Sequence, residues 1–403
     1  IIAKNISKFM NLYSKHNTYG QLNAVILGSY YTPEYFKFIK DPLVREPLMK
    51  IAHEINEDLD YFEQVLKSQG SAVLRPELIS VDKFVDTYHT SQRFIPPPLQ
   101  PRNYYSVVGD NIYHLVNDTE FSVRGCLTSY NNNITDLVKL NASLFADSLA
   151  ANQSAYNSSL NLWYCREKYH ELAGCDWPNF ENYVNGDRSL IPAIQDELKY
   201  FEDSLCYETK EIGPIQGPNI FPTDEALIID SKEYADYRTW ANKHINYNKP
   251  IQVINTTAGH TDGCFTVLGN KTIVGISPLI NYETCFPGYH VIPISHADYM
   301  EHVERSWHDG TGGDWWVNGR VPTQPLIDYI SKYMSAWTGH AYETAFDVNT
   351  LSLNPETVCV INSRVDLTKK LKERKIDPII IPWRHRFFVD CGLHCITLDL
   401  NRS

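Results

Sequence analysis

The feature that most constrains this chain's fold is a strand–helix plan that recurs about five times and ends on a strand with no helix after it. Asn-Ala-Val-Ile-Leu at 23–27 predicts a strand. Over 44–68 an apolar stripe of Leu48, Ile51, Ile55, Leu59, Phe62, Val65 and Leu66 recurs at helical spacing. Gly70 then stops the helix, and 72–74 opens the next strand. The plan returns with hairpins in front: Gly109-Asp110 and Gly269-Asn270 are tight-turn signals between strand-like runs. Strand, helix and strand follow again over 226–254 and 357–381. The terminal strand, 396–400, is predicted to pair with the N-terminal strand and close a ring. The fold class read from this pattern is α/β, about five units of hairpin, helix and strand that would sit around an axis. They form a single domain over 1–403, with insertions near 117–215 and 297–345 where the plan breaks.

In such a ring the hairpin mouths point into one central hole. The mouth residues are Asn103, Asn219, His260 with Asp262, Asn349 and Cys395, all polar. Polar residues favour strand entrances for plain solvation reasons, which accounts for part of this set. Asn103, Asn219, Asn349 and Asn354 are the predicted substrate-binding positions.

The net charge of −12 argues against a nucleic-acid surface, which needs a basic stripe. Apolar runs fall far short of the ~18 residues of a membrane span. Nine cysteines at irregular spacing, with no Cys-x-x-Cys, read as free thiols in a reducing, cytoplasmic compartment. Asn-x-Ser/Thr sites such as Asn117, Asn141, Asn152 and Asn157 fit an Asn-rich composition better than secretion. Among His296, Asp298, His302 and His308 only one pair has i,i+4 spacing, so no metal site is expected. Cys391, four residues before Cys395, suits neither a zinc knuckle nor a redox pair and reads as a packed neighbour. Trp315-Trp316 among glycines reads as a packing cluster or a lid.

A thiol becomes a useful nucleophile as the thiolate, which an adjacent imidazolium favours. Cys395 is the candidate nucleophile, with His260 as acid–base partner 135 positions away. Asp262, expected on the same strand face as His260 because strand side chains alternate, would orient the imidazole or grip a cation.

Several runs then resemble the glycine amidinotransferase family of the guanidino-group-modifying superfamily. They are Asp60-Tyr61-Phe62-Glu63-Gln64-Val65-Leu66-Lys67-Ser68-Gln69-Gly70 closing with Leu74-Arg75-Pro76, then Pro101-Arg102-Asn103, then the stretch from Ala226 through Gly259-His260-Thr261-Asp262, and finally Gly392-Leu393-His394-Cys395 with Asp399. The resemblance covers most of 19–401 and implies a five-bladed α/β propeller with its site in the central channel. It implies transfer of an amidino group from an arginine-like guanidine donor to an acceptor amine, through a covalent S-amidino intermediate (a thioimidate) on Cys395. His260 would protonate the departing amine and Asp262 would hold the guanidinium. No metal or organic cofactor is implied, because the protein thiol carries the group, and homodimers are common in the family. The chain departs from the family in having Asn103 and Asn219 where Asp is usual, and no clear Arg between 277 and 287 to grip a donor carboxylate. Two other readings stay open at this point: a hydrolase of the deiminase or dihydrolase type using the same site, and a diverged non-catalytic ligand-binding propeller.

Overall fold

The computed structural model describes residues 13–91, 94–103, 105–114, 217–230, 237–256, 260–277, 280–295, 323–334, 346–361 and 365–403. Of the two expected insertions, only 323–334 falls within these ranges, as the helix Gln324–Tyr333. His296, Asp298, His302, His308, Trp315 and Trp316 lie outside the described residues.

The chain's two ends meet in one sheet. Strand β1 (Leu22–Leu27) pairs in parallel with β2 (Ala72–Leu74) on one side and antiparallel with the terminal β14 (Thr397–Arg402) on the other, with Val25 opposite Asp399. Between β1 and β2 runs α1 (Pro42–Ser68), whose N-cap Asp41 accepts a hydrogen bond from the Leu43 amide. Its buried side is the stripe read from the sequence: Leu48, Ile51, Ile55, Leu59, Phe62 and Leu66, with Val65 partly buried. Each fully buried Leu or Phe on that stripe contributes about 1.5–3 kcal/mol of transfer free energy.

Three further sheets repeat the arrangement. An antiparallel hairpin joins β5 (Ile220–Pro222) to β6 (Leu227–Asp230), and β7 (Ile251–Ile254) adds in parallel beyond the helix Tyr237–His244. Hairpin β8 (Phe265–Leu268)–β9 (Thr272–Ser277) takes β10 (His290–Ser295), and hairpin β11 (Leu351–Asn354)–β12 (Thr357–Ile361) takes β13 (Asp377–Ile381). The fifth sheet, among the described residues, is the hairpin β3 (Tyr105–Val108)–β4 (Asn111–His114). The parallel third strand in each unit follows from its helical crossover, since a parallel neighbour cannot be reached by a tight turn.

The strands that follow the entrance turns are deeply buried. In β3, β5, β8 and the first four residues of β14 every residue is buried. A strand covered on both faces reads as a continuous apolar run, which is why Phe265–Leu268 and Tyr105–Val108 show little alternation.

Candidate active site

Each first strand is entered through a tight turn, and the turns touch one another. Pro101–Asn103, Gly217–Asn219 and Thr261–Gly263 are single 3-10 turns leading into β3, β5 and β8. Turns at 346–348 and 393–396 lead into β11 and β14. The first three turns pack in series, and that of Pro101–Asn103 also touches β14. Side chains complete the connection: Arg102 Nε donates to the His394 carbonyl (3.0 Å), and Asn219 Oδ1 accepts from both Thr261 N and Thr261 Oγ1 (3.0 Å each).

Asn349 is the hub of this end. It is fully buried, and its amide makes four hydrogen bonds. Oδ1 accepts from the backbone amides of His394 (2.8 Å) and Cys395 (3.1 Å), while Nδ2 lies 3.0 Å from both the Asp262 carbonyl and Cys395 Sγ. An Asn amide has two donors and two acceptor lone pairs, so this one is saturated by protein. The sequence placed Asn349 among substrate-binding residues; its hydrogen bonds anchor the turn that carries Cys395 and direct an N–H at the sulfur. Gly392 makes that approach possible, because a Cβ there would sit 2.5 Å from Asn349 Oδ1. Asn349→Ala is expected to lower stability by at least about 2 kcal/mol, since the two backbone donors left buried cost about 1–3 kcal/mol each; urea denaturation of the variant measures it.

Cys395 is 2 % exposed, more enclosed than a strand mouth predicts, because Asn349 and Asp262 lie against its sulfur. Sγ is 3.6 Å from Asp262 Oδ2, and the same carboxylate oxygen receives His394 Nδ1 at 2.8 Å. Burial, then the Asp262 charge, push the Cys395 thiol well above its ordinary range, against the smaller opposing effect of the Asn349 amide. The resting Cys395 is thus a protonated thiol rather than the thiolate that a neighbouring imidazolium would produce. Burial also opposes ionisation of Asp262, but the His394 hydrogen bond and the neighbouring His394, His260 and Arg102 outweigh it and hold the carboxyl below its usual range. For His394, burial and then the nearby Arg102 charge lower its pKa to about 4. It is therefore neutral at pH 7, and Nδ1 carries the proton given to Asp262.

The structure changes two expectations about the His-x-Asp motif. His260, Thr261 and Asp262 do not alternate along a strand: His260 caps a 3-10 turn and Asp262 lies within it, just before β8. The imidazole hydrogen-bonded to Asp262 is that of His394, in the Gly-x-His-Cys motif, while the half-buried His260 acts on Asp262 through its charge. The signal for His394 was adjacency to the nucleophile; its role was missed because sequence alone gives no register across 132 positions.

The remaining predicted residues divide. Asn219 fixes the Thr261 turn through its Oδ1. Asn103 donates to Gln100 Oε1 (2.7 Å), and its own Oδ1 is buried with no hydrogen-bond partner among the described residues. Asn354 does not join the site. It stands at the far end of β11 from Asn349, about 16 Å along an extended strand, where its Oδ1 caps the hairpin turn by accepting from the Glu356 amide (2.9 Å). The sequence could not separate the two ends of this strand, since Asn suits a turn as readily as a site. Cys391 is fully buried, with its carbonyl receiving Trp383 Nε1 (2.7 Å), as expected of a packed neighbour.

Behind the site, Asp399 is surrounded by three buried cations. Arg102 Nη2 is 2.6 Å from Oδ1; Arg402 Nε (2.8 Å) and Lys15 Nζ (3.1 Å) approach Oδ2. Arg102 thereby ties the nucleophile's turn to this cluster, since the same guanidinium holds the His394 carbonyl.

The described fold is similar to that of two solved amidinotransferases. An amidinotransferase of the saxitoxin biosynthetic pathway from Microseira wollei superposes with a TM-score of 0.51 at 14% identity, covering 97% of this chain and 98% of the other. Inosamine-phosphate amidinotransferase from Streptomyces griseus gives 0.50 at 13% identity, over 98% and 97%. A dimethylarginine dimethylaminohydrolase aligns more loosely, at 0.44 and 9% identity over 94% and 99%. No protein-family model matches the sequence, and no curated protein matches it. Among the described residues no helix is long and apolar enough to cross a membrane, and no group of three or more His, Cys, Asp or Glu is arranged to hold a metal ion.

Proposed function

We propose that this protein is a cysteine-nucleophile amidinotransferase, closed as a five-bladed single-domain propeller, that moves an amidino group from an arginine-like guanidine to an acceptor amine. The observation that carries this reading is the placement of Cys395 Sγ 3.6 Å from Asp262, a buried carboxylate kept ionised beside a thiol kept protonated. Asp262 Oδ1 is buried with no hydrogen-bond partner among the described residues, and a guanidinium is a planar cation whose N–H groups match carboxylate geometry. Asn103 Oδ1, buried and without a hydrogen-bond partner among the described residues, supplies a neutral acceptor for a further guanidine N–H.

Substrate binding would activate the thiol. A guanidinium set against Asp262 cancels the charge that raises the thiol's pKa and adds a positive charge near the sulfur, so the proton leaves when the donor is in place. His260 takes that proton. Sγ attacks the guanidine carbon and a C–S bond forms. The C–N bond to the leaving amine breaks as His260 returns the proton to that nitrogen. The amidino group is then held on Cys395 as a thioimidate. An acceptor amine attacks the same carbon, gives its proton to His260, and the C–S bond breaks to restore the thiol. The Asn349 N–H at 3.0 Å stabilises the sulfur anion in both half-reactions. The chemistry uses no metal or organic cofactor, the group being carried by the protein itself.

The test is intact-mass analysis after incubation with arginine and a panel of other guanidines, with and without primary amines. The expected result is an amidino adduct on Cys395 that disappears when an amine is added, with a new guanidine formed. Breakdown of the adduct to a urea-type product or ammonia with no amine present would replace transfer by hydrolysis. No adduct and no turnover with any guanidine would leave a binding protein.

A further inference from the structure

A cavity runs from the Asp262 and His394 end of the site down between the first strands of three sheets, along Ile220 of β5, Phe265 to Val267 of β8, and Thr350 and Ser352 beside and within β11. Its space open to water centres is about 20 Å³. One water needs about 10–15 Å³ on the same measure, so one or two fit. Most of the wall is apolar, yet two polar atoms that lack a hydrogen-bond partner among the described residues belong to residues lining it: Asp262 Oδ1 and Thr350 Oγ1. Both residues are at least nine-tenths buried, at 5 % and 1 % exposure. Leaving a neutral hydroxyl unsatisfied in such a place costs about 1–3 kcal/mol, and an ionised carboxylate oxygen costs more. Arg102, also lining the cavity, supplies a cation on the same wall.

We propose that this cavity is a built water site, in which one or two ordered waters join Asp262 Oδ1 to Thr350 Oγ1 and Arg102, making Thr350 a positioning residue for the carboxylate. The water donates to Asp262 and receives from Thr350 or Arg102, which meets the two to four partners a buried water requires. His394 holds Oδ2 from one side at 2.8 Å, and the water holds Oδ1 from the other. The carboxylate is then fixed in plane with an edge toward Cys395. Thr350 follows directly on Asn349, so one short segment positions the sulfur through the amide and its counter-charge through the hydroxyl. The inference deepens the proposed function, because it assigns the positioning of Asp262 a purpose in gripping a guanidinium.

Two measurements separate it from that reading. The first is a high-resolution crystal structure of the full chain without substrate. An ordered water within hydrogen-bonding distance of both Asp262 Oδ1 and Thr350 Oγ1 is expected; a dry cavity, or a direct bond between the two groups, overturns the proposal whatever the protein's activity. The second is the alkylation rate of Cys395 by a cationic haloacetamidine relative to neutral iodoacetamide, read by intact mass. In the wild type the amidine should react faster. Thr350→Val should cut that preference about 5- to 10-fold and shift the acid limb of amidine labelling to higher pH, and Thr350→Ser should restore both. A folded Thr350→Val protein with the wild-type ratio and pH profile removes Thr350 from its role while leaving the proposed function standing. A wild type that shows no preference for the amidine instead counts against the proposed function, and the crystallographic result then decides the water site by itself.

Discussion

In an Asp262→Asn variant, Cys395 is expected to become more reactive toward neutral iodoacetamide at pH 8 while guanidine turnover falls by about 10²–10³-fold. The opposite signs follow from the geometry. The carboxylate lies 3.6 Å from the sulfur and, after burial, is the largest influence raising the thiol's pKa. Replacing it by an amide of the same shape removes the charge, so the free thiol ionises at lower pH and alkylates sooner. The same replacement deprives a bound guanidinium of its anionic partner, a loss on the order of 3–4 kcal/mol for a desolvated charged contact. Cys395→Ser provides the reference: it should abolish alkylation at this position and reduce turnover at least about 10³-fold, the scale expected for removing a nucleophile. A carboxylate that served only to stabilise the fold would lower both rates together, and a parallel fall of alkylation and turnover in a folded Asp262→Asn protein would remove it from the substrate site.

That pair of effects could not be read from the sequence, although the residues could. Cys395, Asp262 and the strand mouths were legible because turns before apolar runs carry a strong local signal. The pairing of β14 with β1 was legible for a related reason: the strand read at 396–400 needs a neighbour, and β1 had a free edge. What stayed hidden depends on atoms brought together across long separations. Asn349 looks like any Asn before a strand until its four hydrogen bonds to Asp262, His394 and Cys395 are seen. Asn354 carries the same local signal and serves a hairpin turn. Asn219, standing where the family the sequence resembles usually has Asp, spends its carbonyl on Thr261 and so anchors that turn. The strand alternation assumed for His260 and Asp262 failed because Thr-Asp-Gly forms a 3-10 turn first, and side-chain directions in a turn do not follow the period of two.

The largest stability effects are expected one layer behind the site, at Asp399 and Lys15, and they too should have opposite signs. Asp399 is the single carboxylate among Lys15, Arg102 and Arg402, all at most 3 % exposed. Burial opposes its ionisation, but Arg402, Lys15 and Arg102 together hold its carboxyl well below the usual range. Asp399→Asn strands three buried cations and should cost about 3–5 kcal/mol, enough to unfold a marginal domain. Lys15 is the surplus charge in the cluster, since both Arg side chains also bond backbone carbonyls while, among the described residues, Lys15 Nζ has only its approach to Asp399. Burial lowers the Lys15 pKa from 10.5 to about 7. Below pH 7 the folded and unfolded chains both carry the proton, and the full cost of burying the cation is present. Between about pH 7 and 10.5 the unfolded chain binds more protons than the folded one, so this group's contribution makes stability rise with pH across that window. Lys15→Met should therefore stabilise the protein at pH 6 by about 1–4 kcal/mol and flatten its stability profile above pH 7. Urea denaturation midpoints of the wild type and both variants, taken from pH 6 to 10, measure all three effects. A Lys15→Met protein less stable than wild type at pH 6 would mean that the ammonium is needed to balance the cluster, and an Asp399→Asn protein with an unchanged midpoint would mean that the cations find other partners.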